Sequence, residues 1–217
     1  MLPLHPLDVA TVAVLAFVGL RLATVAGRAV RPPLRHQVLS LWRGIRLRHV
    51  VPVPFVLAAV ATTAYLLLGV PGLDVGWWSA IGGQGNPVTG GTDRTAGTSL
   101  EVLLPLVFVV LLVPGLPLFA AAEEQRFRLG AEGWSTLRRV LQGVAFGAVH
   151  ALIGIPIGVA LALSIGGWWF TAVYLWGFRR GGRTSALREA TLAHLAYNAS
   201  VLALLVASVA LTASGTG

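Results

Sequence analysis

Six apolar runs alternate with polar or basic stretches along the chain, at residues 7–27, 50–70, 101–122, 139–161, 163–178 and 190–212. Five of them reach the ~20 residues a helix needs to cross about 30 Å of hydrocarbon. The run at 163–178 is shorter, which suits a span that is little tilted or kept inside a bundle away from lipid. The pattern predicts an all-α fold: a polytopic transmembrane helical bundle of about six spans, forming one domain over 1–217 with a cavity that faces the cytoplasm. The first run is too long for a signal-peptide core and lacks a basic segment before it, so it reads as a retained span. No internal or inverted repeat of the transporter kind is visible.

The stretches between the runs differ in charge. The first holds Arg28, Arg31, Arg35, Arg43, Arg46 and Arg48, the third Arg126, Arg128, Arg138 and Arg139, and the fifth Arg179, Arg180, Arg183 and Arg188. The second, 71–99, is rich in Gly, Pro and Thr with Asp74, Asp93 and Arg94 as its charges. The fourth, around Gly166 and Gly167, has none. Basic connections belong in the cytoplasm. The alternation therefore predicts both termini outside, a basic cytoplasmic loop at 28–49 and a flexible outer loop at 71–99 in an integral membrane protein; its small, loop-poor style suits a bacterial cell membrane. Trp77, Trp78, Trp168, Trp169 and Trp176 fall near predicted interfaces, where aromatic belts lie.

Composition agrees. Of 217 residues 56% are apolar and 11% charged, against roughly a quarter charged in soluble domains. The net charge of +8 comes from sixteen arginines without a lysine. In a soluble chain that excess would suggest nucleic acid. Here the cytoplasmic loops account for it, so the bilayer is the expected partner and nucleic acid is not. With no cysteine, neither disulfides nor thiolate metal sites are available.

Against this background three motifs stand out inside or at the ends of apolar runs: Glu123-Glu124-Gln125-Arg126-Phe127-Arg128, Phe146-Gly147-Ala148-Val149-His150 and His194-Leu195-Ala196-Tyr197-Asn198. Ionisable groups at membrane depth cost about 2.5–3.5 kcal/mol each on insertion scales. Glu124 and Arg128 are spaced i,i+4 with the acid first, the favourable orientation for a helical ion pair. Glu123 is turned roughly 100° away and lacks that partner, which leaves it available as a base. A position eleven residues past Arg139 puts His150 some 16 Å along its helix, near the bilayer centre. Phe146 shares its face and would wall the site from lipid. Gly154, Pro156 and Gly158 follow closely, so this helix is expected to kink or break past the histidine. His194 and Asn198 also share a face and pair an imidazole with a carboxamide able to donate to an oxyanion.

Each motif has a plainer reading as well. The glutamates would be loop charges at a span end, and the histidines interhelical hydrogen-bonding groups worth roughly 0.6 kcal/mol. Glu132 and Glu189 read as loop charges, and His5, His36 and His49 receive no role. Gathered in one inward-facing cavity, however, the motifs give water a base and an oxyanion donor. That is a hydrolase layout, with amide bonds the obvious target.

In this order, each on a hydrophobic helix, Glu-Glu-x-x-x-Arg, Phe-x-x-x-His and His-x-x-x-Asn resemble the CPBP family of intramembrane metallo- or glutamic proteases. That group includes the CAAX prenyl proteases and bacteriocin-processing or self-immunity enzymes. The resemblance covers 123–198, within a motif-bearing core of about 101–212. It implies intramembrane proteolysis, in which Glu123 activates water with His150 as partner. His194 and Asn198 would steady the tetrahedral intermediate, with Glu124, Arg128 and Phe146 supporting. The implied substrate is a membrane protein or peptide; the short chain gives no sign that a prenyl group is recognised. Glu123, His150 and His194 also form a set that zinc accepts with one position left for water. The same atoms can activate water without metal, and the expectation leans to that route. The alternative to an enzyme is a non-catalytic membrane scaffold or immunity factor using the same fold to bind a partner.

Overall fold

Helices occupy nearly all of the apolar runs in the computed structural model, which describes residues 6–80, 82–83, 85–86, 91–92 and 95–213. The first is α1 (Pro6–Ala29), followed by the short α2 (Leu34–Gly44) and α3 (Leu47–Val50), then α4 (Val53–Leu68) and α5 (Trp77–Ala80). A two-residue antiparallel ribbon pairs Gly85–Asn86 with Gly91–Thr92. Beyond it lie α6 (Leu100–Arg128), α7 (Thr136–Ala148), α8 (Ile157–Ala162) and α9 (Ser164–Ala213), with 3-10 turns at Ala131–Gly133 and Val149–Ile153. Of the outer connection at 71–99, residues 81, 84, 87–90, 93 and 94 lie outside the described residues, as does His5.

Four helical stretches are long and apolar enough to cross a membrane: Val9–Ala29, Leu47–Leu68, Leu100–Gly133 and Ile157–Ser208. Their outer faces carry apolar side chains that no protein atom covers. Phe17, Phe55 and Tyr65 are two-thirds or more exposed, a surface suited to lipid rather than water. The basic connection at 28–49 is largely helical. Within α2, Val38, Leu41 and Gly44 turn inward, and Leu41 joins Leu116, Ala120, Leu192 and Leu195 in a shared core.

The last stretch is two arms. At Gly181 and Gly182 the backbone leaves helical geometry, Gly182 with φ of 69°. The Phe170 and His194 rings stack 4.3 Å apart, whereas twenty-four residues of continuous helix would separate them by about 36 Å. The arms 164–180 and 183–213 therefore fold back antiparallel. Gly177 permits the crossing, because a Cβ there would stand 3.0 Å from Ala186 Cα.

The structure corrects the boundaries of the fourth and fifth runs. Residues 139–161 do not form one helix. Helix α7 ends at Ala148, His150 lies in the 3-10 turn that follows, and the chain reverses at Gly154-Ile155-Pro156, the break expected past the histidine. Gly154 adopts a φ of +89°, which favours glycine, and Pro156 restarts a helix as its N-cap. The turn expected at Gly166 and Gly167 is helix interior. Gly167 instead allows α9 to approach α7, since its Cβ would stand 2.8 Å from the Gly143 carbonyl.

The Gly154 turn rests against the outer connection: Trp77 and Asn86 donate to the Leu152 and Ile153 carbonyls, and Gly158 N–H donates to Leu73. The three basic connections meet elsewhere. Arg48 pairs with Glu189 at 2.8 Å, and Glu132 pairs with Arg183.

Candidate functional site

Helix α6 ends just past its two glutamates, because Gly130 takes a φ of +89° that the helix cannot propagate. Carboxylates near a helix C-terminus face its negative end, so a buried one there needs a counter-charge. Glu124 has two partners. Arg128 Nη1 donates to its Oε1 at 2.9 Å, the predicted i,i+4 pair, and His194 Nδ1 lies 2.8 Å from the same oxygen. Both side chains of the ion pair are essentially inaccessible, at 0% and 1% exposure.

Arg128 is enclosed by aromatic rings. Its guanidinium lies 4.2 Å from the Phe146 ring centre and 5.3 Å from that of Phe170, while Nη2 donates to the Gly167 carbonyl. Desolvated cation–π contacts of this kind contribute about 2 kcal/mol. Phe146 is the hub of the site. Its ring meets those of His150 and His194 edge-on, at 5.0 and 5.5 Å, and also those of Phe127 and Phe170. The sequence assigned it a wall between site and lipid; it separates the two imidazoles.

The hydrogen bonds fix where protons sit. Arg128 requires Glu124 to be a carboxylate, so His194 Nδ1 carries a hydrogen and donates to it. The other ring nitrogen, Nε2, faces Glu123 Oε2 at 3.6 Å. Glu123 is 34% exposed, against none for Glu124. Its Oε2 is nevertheless buried without a hydrogen-bond partner among the described residues.

His150 is oriented by the backbone. Its Nδ1 lies 2.8 Å from the Phe146 carbonyl, an acceptor only, so Nδ1 carries a hydrogen and Nε2 is the ring nitrogen left for another partner. Among the described residues the histidine paired with both glutamates is His194, and His150 is not seen paired with either. Asn198 lies one turn beyond His194, half-buried.

No family model matches this chain, nor does any curated protein or solved structure.

The structure thus brings Glu123, Glu124, Arg128, His194 and Phe146 into contact, and attaches His150 to them through Phe146. The three residues considered as zinc ligands do not fit that role. Among the described residues no three carboxylate or imidazole groups are gathered closely enough to hold a metal ion.

Several participants had no role in the sequence reading. Phe170 stacks on His194, and Gly167 accepts from Arg128. His49 and Glu189 form a second buried cluster: Arg46 N–H donates to His49 Nδ1 at 3.0 Å, so His49 is the neutral tautomer that donates from Nε2 to Glu189 Oε2 at 2.9 Å. Arg48 completes it with two bonds to Glu189. Glu132, also read as a loop charge, accepts from the Tyr174 hydroxyl at 2.9 Å and pairs with Arg183. A signal existed for Glu189, which lies on the same helix as His194 and little more than a turn before it.

Proposed function

We propose that this chain is an intramembrane endopeptidase that hydrolyses peptide bonds of membrane-embedded or membrane-associated substrates. One observation carries the reading: His194 is held between two glutamates, of which Glu124 is buried and spent on Arg128, while Glu123 approaches the imidazole only at 3.6 Å and is one-third exposed. A structural cluster would use both. Here Glu124 fixes the imidazole, and Glu123 keeps a reactive oxygen beside it.

Glu123 takes a proton from water as general base, and the resulting hydroxide attacks the substrate carbonyl carbon. His150, with its Nε2 left for a partner, orients that water. The Asn198 amide donates a hydrogen bond to the oxyanion, and the proton taken from water, shared between Glu123 and the facing His194 Nε2, hydrogen-bonds to it from the imidazole. Glu123 then delivers its proton to the leaving amine, so water ends divided between the two products. These roles are the ones that the CPBP-like motif order implies.

The proposal includes six spans with the site open to the cytoplasm. It takes 136–153 as the fourth span, 157–180 as the fifth and 183–213 as the sixth. Contacts of the first and third basic connections with the fifth favour a common side for them, and the positive-inside rule makes that side cytoplasmic.

The experiment compares membrane-proteome chain termini between cells carrying the wild-type protein and cells carrying Glu123→Gln at matched levels. New termini that appear only with the wild type are expected. Identical termini would overturn the peptidase reading and leave the scaffold.

A further inference from the structure

Beyond the glutamate cluster, a pocket of about 300 Å³ opens between α3, the start of α4 and the two arms of α9. Pro52, Trp169, Ala172, Val173 and Ala193 line it with apolar surface, the buried His49 and Glu189 lie in its wall, and the exposed Arg48 and Trp176 form its rim. We propose that this pocket binds an anionic phospholipid, with the phosphodiester on Arg48 and Arg180 and part of an acyl chain against Trp169 and Val173. The proposal goes beyond the peptidase reading and does not depend on it.

The rim is short of negative charge. The Trp176 indole lies between two guanidinium groups, Arg180 at 4.4 Å and Arg48 at 5.7 Å from the ring centre. Glu189 is the single carboxylate of the cluster, and His49 is neutral because its Nδ1 accepts from Arg46. Two cations and one anion leave one positive charge, the complement of a phosphodiester.

Donors are also to hand. A guanidinium has five N–H groups. Arg48 directs two of them to Glu189 and is 43% exposed, so three remain for an anion. Arg180 is exposed and has the indole as its partner. Bidentate geometry suits guanidinium–phosphate recognition.

The apolar interior decides between a lipid and a free phosphate. A soluble anion gains nothing from Trp169, Val173 and Pro52, whereas a lipid places its headgroup on the rim and buries chain methylenes against them. Basic pockets between membrane helices are established seats for anionic headgroups.

The test is native mass spectrometry of the full chain in a zwitterionic detergent, titrated with phosphatidylglycerol or with phosphatidylcholine of the same acyl chains. Phosphatidylglycerol adducts should dominate, and Arg180→Gln should lower that preference about fivefold, the share of one basic residue at an anionic surface. Arg180 is exposed, so the variant should fold, and an unchanged melting temperature verifies it. Arg138→Gln removes a similar guanidinium–indole pair, with Trp134 at 4.6 Å, away from the pocket, and should leave the preference intact. Equal binding of both lipids, or equal loss in Arg138→Gln, would overturn the proposal. Displacement of the lipid by inorganic phosphate at equal concentration would overturn it in favour of a soluble anion.

Discussion

Adjacent glutamates with unlike surroundings should respond differently to the same substitution. Removing one partner of a buried ion pair leaves the other charge uncompensated, at a cost of about 3–5 kcal/mol. Glu124→Ala does this to Arg128, which is 1% exposed and boxed by Phe127, Phe146 and Phe170. Glu123→Ala removes a side chain that is one-third exposed and makes no hydrogen bond at its buried oxygen. Thermal unfolding of the two variants in one detergent should therefore show a large loss for Glu124→Ala and little change for Glu123→Ala. Cleavage should be lost in Glu123→Ala even though the fold survives. A lower melting temperature for the Glu123 variant would reverse the division of labour. The Glu124–Arg128 pair was legible because helix geometry alone puts i and i+4 side by side. The bond from His194 to Glu124 spans seventy residues and the cluster of His49 with Glu189 spans one hundred and forty; no local pattern encodes such distances. What the sequence carried was residue type and helical face, not the partner.

Helix crossings depend on glycines that a hydropathy pattern reads as interruptions. Gly143 and Gly147 lie one turn apart on α7 and face α9. A Cβ at Gly147 would stand 2.4 Å from the Ala160 carbonyl and 2.6 Å from Ser164 Oγ, and one at Gly143 only 2.0 Å from Trp168. Small residues let membrane helices approach in this way. Gly147→Val should therefore push α7 from α8 and α9, at the ~1–3 kcal/mol typical of overpacking. Because Phe146 precedes it and carries both imidazole contacts, activity should fall along with the melting temperature. A variant with full stability and activity would contradict the close packing. Other glycines explain why the sequence reading expected the break at Gly154 and Pro156 but misplaced a turn at Gly166 and Gly167. Uncharged, apolar residues continue through Gly154-Ile155-Pro156 and through Gly166-Gly167 alike, so hydropathy cannot tell a turn from a crossing. Backbone geometry separates them: Gly154 sits at a positive φ before a helix-starting proline, while Gly166 and Gly167 stay helical. The runs at 7–27 and 101–122 lie within helical segments, that at 50–70 spans the end of α3 and the whole of α4, and α6 remains helical even through Pro105, Pro114 and Pro117.

At the scale of the whole molecule, two groups of contacts divide the chain into ends. One end joins the basic connections through Arg48–Glu189 and Glu132–Arg183; the other joins the outer connection to the Gly154 turn through Trp77 and Asn86. Arginine-rich segments remain on the cytoplasmic side of a bilayer, so the two ends should be accessible from opposite faces. The chain has no cysteine, which makes single introduced thiols unambiguous reporters. Thr184→Cys, exposed beside the hairpin bend, should react with a membrane-impermeant maleimide only after the cytoplasmic face is opened. Ile155→Cys, in the turn that separates α7 from α8, should react in intact cells. Ile165→Cys adds the deciding comparison. If the chain reversed at Gly166 and Gly167, this thiol would lie in an outer loop and label like position 155. Inside a helix packed against α7, between Ser164 and two buried glycines, it should stay protected on both sides. Labelling of positions 155 and 184 from the same face would break the antiparallel arrangement, and with it the single cytoplasmic approach to Glu123 on which the peptidase reading depends.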